Sequence, residues 1–326
     1  MAEMGNSCPC VNDCIHFCLT GCDGINHQGC KWKPVKDKPT NIFKDKTILI
    51  TGGTGSMGSA FAKYLIQYQP KKLIIFSRGW LAQKNMQDEL GDLPFVRYFI
   101  GDVRDKDRLV RAFKDVDIVI HAAALKDLPT CEYNPFEAMQ TNVIGTQNVI
   151  DAAIDCGVSK SLLISTDKSV EPCNTYGATK ALAERLWLNA NSTAANSDIR
   201  FSVCRYGNVF NSSGSVYPVW RKMIEQGAEY LPITHKEMTR FHFIMEDVMR
   251  FVEDSVETMQ GGELFIPRLP SIRIVDLAEA MDMPWKEIGI RQGEKIHESM
   301  ESGYDSGTNE WFLSVEELRQ MIQNMI

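Results

Sequence analysis

The chain has 326 residues, 44% of them hydrophobic and 24% charged, and its 42 acidic and 35 basic side chains give a formal charge of −7. This composition excludes a disordered chain, a collagen-like repeat and a coiled-coil rod, and an acidic balance without a basic stripe excludes general nucleic-acid binding. No run approaches the roughly 18 to 20 apolar residues of a spanning helix and no basic-then-apolar leader opens the chain, so the expectation is a soluble, cytoplasmic protein without a membrane or nucleic-acid partner.

In chain order, residues 1–30 form a cysteine-rich extension. Six of the ten cysteines lie there: Cys8, Cys10, Cys14, Cys18, Cys22 and Cys30. Thiolates suit zinc or an iron–sulfur cluster. A straight helix would set Cys10 and Cys22 about 18 Å apart, however, and no Cys-x-x-Cys is present. A metal or cluster site therefore competes with redox-sensitive thiols and with a functionally silent extension. The other four, Cys131, Cys156, Cys173 and Cys204, read as ordinary small buried residues. Residues 31–45, rich in Lys and Pro, read as a linker.

From Lys46 the pattern becomes regular. Apolar runs at Thr47–Ile50, Lys72–Phe76, Phe95–Ile100, Ile118–His121, Ser161–Ser165 and Phe201–Arg205 alternate with helical stretches, one of them long, from about Pro135 to Asp155. Continuous apolar strands between amphipathic helices indicate a parallel sheet covered on both faces. The expected fold is a doubly wound α/β domain over 46–207. A smaller, partly helical substrate region follows over 208–326, interleaved with the first and holding helices near Glu246–Met259, Ile274–Met281 and Ser314–Met325.

Thr51-Gly52-Gly53-Thr54-Gly55-Ser56-Met57-Gly58 follows the first strand and opens the first helix. In this setting Gly52 permits the tight turn, Gly55 the approach of a pyrophosphate and Gly58 the close packing of helix on strand. The helix N-terminus would hold the phosphates. After the second strand comes Ser77-Arg78 rather than an acidic residue. An Arg here suits the 2′-phosphate of NADP, whereas an acid would suit the ribose of NAD.

The fifth strand ends in Ser165-Thr166-Asp167-Lys168, and Tyr176 and Lys180 follow at i, i+4 spacing. That spacing puts the phenol and the ammonium on one helix face. A neighbouring ammonium lowers a phenol's pKa and makes it a base for a hydroxyl proton. Asp167 and Lys168 alone could be an exposed ion pair of little worth. As an acid and base they would need Lys168 to lose its proton near neutrality, through burial or a cationic neighbour.

These segments, with His121–Lys126, Glu132–Pro135, Thr141–Thr146, Arg205–Val209, Met238–Phe241, Gly289–Glu298 and Leu313–Leu318, carry a resemblance. The chain from Lys46 onward resembles an extended short-chain dehydrogenase/reductase. More narrowly, it resembles the inverting, soluble UDP-N-acetylglucosamine 4,6-dehydratases of pseudaminic-acid-like pathways. The resemblance implies that Tyr176, helped by Lys180, takes the O4 proton during C4 oxidation, that Lys168 removes the C5 proton, and that Asp167 protonates the leaving O6. It adds Thr166 to the catalytic set. It also implies a tightly held NADP, regenerated each turnover and lined by Thr51, Gly52, Gly55, Ser56, Met57, Gly58, Ser77, Arg78, Asp102, Val103, Ala122, Ala123, Ala124, Lys126, Tyr176, Lys180 and Asn208. Lys126, Thr166, Asn208, Val209, Arg240, Arg291 and Glu294 would meet the UDP-sugar, and a homo-oligomer, dimer or hexamer, is expected.

Tyr176 separates the chain from the long membrane-anchored relatives, which commonly carry Met there. The chain departs from the family pattern at Gly79-Trp80, where an acidic pair is usual, at Ser213, where Arg is usual, and at His242, where Trp or a similar ring is usual. Two alternatives remain: a UDP-sugar 4-epimerase or reductase on the same scaffold, and a non-catalytic NADP-binding regulator with a metal- or redox-sensing cysteine head.

Overall fold

The structure, a computed structural model, describes residues 42–194 and 198–324. The candidate metal ligands Cys8, Cys10, Cys14, Cys18, Cys22 and Cys30 lie outside the described residues. Among the described residues, no group of three or more His, Cys, Asp or Glu side chains is placed to hold a metal. Phe43, within the stretch read as linker, is fully buried and packs edge-on against Phe61 and Tyr68.

Six strands follow the apolar runs closely: β1 (Thr47–Thr51), β2 (Lys72–Ser77), β3 (Val96–Ile100), β4 (Ile118–His121), β5 (Lys160–Thr166) and β6 (Arg200–Tyr206). The connecting helices are α1 (Ser56–Ile66), α2 (Trp80–Leu90), α3 (Lys106–Phe113), α4 (Leu128–Tyr133), α5 (Pro135–Met139), α6 (Gly145–Asp155) and α7 (Thr175–Thr193). Beyond them come β7 (Asn208–Val209), α8 (Val216–Glu225), β8 (Leu231–Ile233), β9 (Thr239–Phe243), α9 (Met245–Thr258) and β10 (Leu264–Phe265). The chain finishes with β11 (Ser271–Arg273), α10 (Ile274–Ala280), β12 (Trp285–Glu287), β13 (Ser299–Glu301), β14 (Tyr304–Asp305) and α11 (Val315–Gln323).

The central sheet has the order β10-β6-β5-β4-β1-β2-β3, with every pair parallel. Its strands read as unbroken apolar runs because both faces are covered. Phe61, Leu65, Met86 and Phe251 of α1, α2 and α9 fill one face, and Leu109, Phe113, Val149 and Trp187 of α3, α6 and α7 fill the other. A third core, around Phe210, Tyr217, Trp220, Leu231, Leu277 and Leu318, belongs to the elements after β6. The chain nevertheless returns to the main sheet through β10, which pairs with β6.

Register decides where the chemistry sits. Thr51 pairs with Phe76 and with His121, and Thr166 pairs with Tyr206. The carboxyl ends of β1, β2, β4, β5 and β6 therefore share one edge, and the order reverses between β1 and β4. In open α/β sheets that crevice is where ligands bind.

The helix expected over Pro135–Asp155 is interrupted by a π-helical turn at Gln140–Ile144. The turn coincides with Asn142, a buried side chain that accepts from Leu125 N at 2.7 Å and donates to Leu125 O at 2.9 Å and Thr179 Oγ1 at 3.0 Å. Such single π turns commonly accompany functional sites, and this one ties the segment after β4 to α7. No helix of the described residues is long and apolar enough to cross a membrane.

Candidate active site

The turn after β1 is built for close approach. Gly52 has φ +65°, and a Cβ on Gly58 would overlap the Gly52 carbonyl oxygen, so α1 can start against the turn only with glycine there. Gly55 caps α1 without a side-chain hydrogen bond, and the first turn of α1 carries no acid. Its N–H groups and partial positive charge are left for phosphate oxygens. The cradle therefore fits a dinucleotide pyrophosphate, with Thr51, Ser56 and Met57 on it and Ala122 and Ala123 against Gly52.

At the end of β2, Ser77 is buried and receives a hydrogen bond from Gln83 at 3.0 Å. Arg78 extends outward, 60% exposed and 3.9 Å from Asp102. Asp102 is held mainly by Arg104, at 2.7 Å. That hydrogen-bonded pairing keeps its carboxyl below the usual range despite partial burial. Most of the Arg78 guanidinium is thus left facing solvent at the end of β2.

The loop after β7 crosses the start of α1. Ser213 N donates to Ser56 Oγ at 3.2 Å, and Lys126 Nζ donates to the Ser213 carbonyl at 3.2 Å. Lys126 is thereby anchored beside the cofactor turn by the residue where the family pattern has Arg.

The catalytic candidates converge at the end of β5. Thr166 Oγ1 donates to Asp167 Oδ1 at 3.0 Å, and Lys168 Nζ donates to the same oxygen at 3.1 Å and to Asn208 Oδ1 at 3.2 Å. Asp167 is fully buried. The pair is not a surface salt bridge. α7 packs tightly on it, since a Cβ at Gly177 would overlap the Lys168 carbonyl oxygen. This contact explains why glycine follows Tyr176.

Two expectations about protonation change. Lys168 was expected to need a lowered pKa. Burial does disfavour its ammonium, but the carboxylates of Asp167 and Glu298 outweigh burial and hold it above the ordinary lysine value. Lys180 was expected to lower Tyr176. The cation that lowers Tyr176 most is instead Lys168, and burial still pushes the phenol up to about 12. Lys180 is itself lowered to about 8 by burial, partly offset by Glu184, and its Nζ donates to Ile164 O at 2.7 Å.

Two acidic residues beside these candidates escaped the sequence reading. Glu298 Oε1 lies 3.3 Å from Lys168 Nζ, and its signal was its place in the Gly289–Glu298 segment. Glu184, two helical turns beyond Tyr176 on α7, accepts from Ser165 Oγ at 2.5 Å, Ser169 Oγ at 2.7 Å and Arg205 Nη2 at 2.5 Å. Ser165 and Ser169 bracket the Thr166-Asp167-Lys168 turn, so Glu184 holds that turn from beneath.

Among the elements after β6, Arg240 is buried, with Nη1 and Nη2 donating to the carbonyls of Thr239, Lys295 and Ile296 at 2.7–3.0 Å. It braces the Gly289–Glu298 segment rather than reaching freely outward. Arg291 is 63% exposed and 4.0 Å from Glu294. Asn208, Val209, Arg240 and His242 line a cavity of about 20 Å³, roughly the space of one water. His242 stacks edge-on to Phe210 at 4.6 Å, and its Nε2 has no hydrogen-bond partner among the described residues. Cys131 and Cys204 are buried as expected. Cys173 is exposed, because it sits on the loop leading into α7, with Sγ 3.3 Å from the Gly293 carbonyl.

A doubly wound sheet, a glycine turn at its switch point and a Tyr-x-x-x-Lys helix beside a Thr-Asp-Lys turn define an extended short-chain dehydrogenase/reductase. Within that class, the chain belongs to the polysaccharide biosynthesis protein family, whose model matches residues 48–317. It is 52% identical over 268 residues, covering 81% of this chain and 80% of the relative, to a UDP-N-acetylglucosamine 4,6-dehydratase (inverting) of Campylobacter jejuni. A UDP-glucose 4-epimerase of Rickettsia akari is 41% identical over 274 residues, covering 81% of this chain and 80% of its own. Among solved structures, Pen from Bacillus thuringiensis superposes with a TM-score of 0.83 at 35% identity, covering 86% of this chain and 98% of that one.

Proposed function

We propose that the protein is an inverting UDP-N-acetylglucosamine 4,6-dehydratase, giving a UDP-2-acetamido-2,6-dideoxy-4-keto-hexose. The observation that carries this reading is the buried Asp167–Lys168 pair beside Tyr176. Proton transfer at O4 requires one base, whereas removal of water across C5 and C6 requires a second base and an acid. A 4-epimerase has no use for that second pair, which decides between the two kinds of relative.

Tyr176 accepts the O4 proton, Lys168 the C5 proton, and Asp167 protonates O6 as it leaves. The glycine turn at Gly52, Gly55 and Gly58 would hold a nicotinamide cofactor, which would supply the redox chemistry as hydride acceptor at C4 and donor at C6. Lys180 and Thr166 orient the ribose and the O4 hydroxyl. The exposed Arg78 supports NADP as the cofactor, held through the glycine turn and Lys126 and carried from one turnover to the next. Arg291 and Glu294 suit the nucleotide, while Asn208 and Val209 face the sugar. Residues 208–326 enclose the substrate against the 46–207 domain.

Exposed apolar side chains at Tyr133, Phe136, Met139, Ile144 and Leu182, on α4, α5, the π turn and α7, support a homo-oligomer. The cytoplasmic assignment follows from the nucleotide-sugar substrate. Lys168→Ala is expected to lower turnover of UDP-N-acetylglucosamine by about 100-fold or more while the affinity for cofactor is kept, measured by product formation and cofactor titration. Unchanged turnover contradicts the assignment.

A further inference from the structure

Lys168 Nζ sits between two buried carboxylates, Asp167 Oδ1 at 3.1 Å and Glu298 Oε1 at 3.3 Å. Glu298 comes from the loop before β13 and is 3% exposed. Its Oε2 is buried without a hydrogen-bond partner among the described residues, and Lys295 Nζ stands 3.9 Å away. We infer that Glu298 is a positioning residue for the elimination, holding a single proton on the Asp167–Lys168 pair so that one internal shift creates both base and acid. This inference rests on the dehydratase reading above.

A lysine base must be an amine and an aspartate acid must be protonated. The resting pair has the opposite charges, yet it contains the same proton. Passage of that proton from Nζ to Oδ1 leaves Lys168 neutral and Asp167 protonated, with no exchange with solvent. The Lys168 lone pair then takes the C5 proton, and the C5–H electrons form the C5–C6 double bond. The C6–O6 bond breaks, and O6 leaves as water with the Asp167 proton. Lys168 ends as the ammonium and Asp167 as the carboxylate, and the charge on Glu298 favours that end state.

The pair therefore works only while it holds its proton, and it stops when alkali removes it. The charged and titratable groups facing Lys168 are Asp167 on its own turn, Glu298 and Lys295 on the loop before β13, Arg240 on β9 and Tyr176 on α7. Of these, Asp167 and Glu298 hold the ammonium, and Arg240 opposes them.

The test compares wild type, Glu298→Gln and Glu298→Asp on UDP-N-acetylglucosamine across pH. It follows kcat, the absorbance of reduced nicotinamide and deuterium at C5. In Glu298→Gln the alkaline limb of kcat is expected to fall about one to two pH units lower. The acid limb stays in place, and reduced nicotinamide accumulates because C4 oxidation outruns elimination. Glu298→Asp returns the limb toward wild type. An unmoved alkaline limb in folded Glu298→Gln, or equal slowing of oxidation and elimination, overturns the inference alone. A wild type that leaves the sugar intact overturns the dehydratase reading and the inference with it.

Discussion

Single side chains in this protein are defined by what they face rather than by their type. Tyr176 and Lys180 could be named from spacing and Asp167 and Lys168 from the resemblance, but their protonation could not, because it depends on burial and, for Lys168, on Glu298, far away in the chain. His242 shows the same dependence and gives a pH prediction. Burial lowers it to about 4, so the folded form stays neutral while an unfolded His, near 6.5, takes up a proton. The unfolded state thus binds more protons between those values, and stability falls as pH drops through that window. His242→Phe is expected to cut the loss of unfolding free energy between pH 7 and pH 5 by about 2 kcal/mol, measured by urea midpoints. An identical pH dependence in the variant contradicts neutral burial of His242.

At the scale of elements, the strands were legible because their apolar runs are long and continuous. The interruption at Gln140–Ile144 was less so. The π turn depends on Asn142 finding Leu125 and Thr179, and neither contact leaves a periodic trace. Beneath the catalytic turn, Arg205 ties α7 to β13 through Glu184 and the Met300 carbonyl, at 2.6 Å. Both charges of the Glu184–Arg205 pair are largely buried. Glu184→Ala strands a buried guanidinium and frees Ser165 and Ser169, so a loss of about 3–5 kcal/mol is expected, read from the denaturant midpoint. A loss below about 1 kcal/mol, the size of an exposed pair, would show that the network does not hold the turn.

Across the whole molecule, one parallel register brings the glycine turn, Arg78, Lys126 and the Thr166-Asp167-Lys168 turn to a single edge, and the elements after β6 close over it. The expectation of a doubly wound sheet holds because helices cover both faces. The return of β10 to the sheet was not legible, since two residues pairing with β6 carry too little pattern. The resemblance placed Arg240 at the substrate; what it could not show is that the guanidinium also braces the Gly289–Glu298 segment that delivers Glu298 to Lys168.

The central claim is that this site removes water from a UDP-sugar rather than only oxidising it. The most direct measurement incubates the pure protein with UDP-N-acetylglucosamine in D₂O, without added cofactor, and follows the product by mass spectrometry and NMR. The account predicts loss of one water, a 4-keto group, one deuterium at C5 and inverted configuration there. A 4-epimer retaining its C6 hydroxyl, or a sugar recovered unchanged, would contradict it.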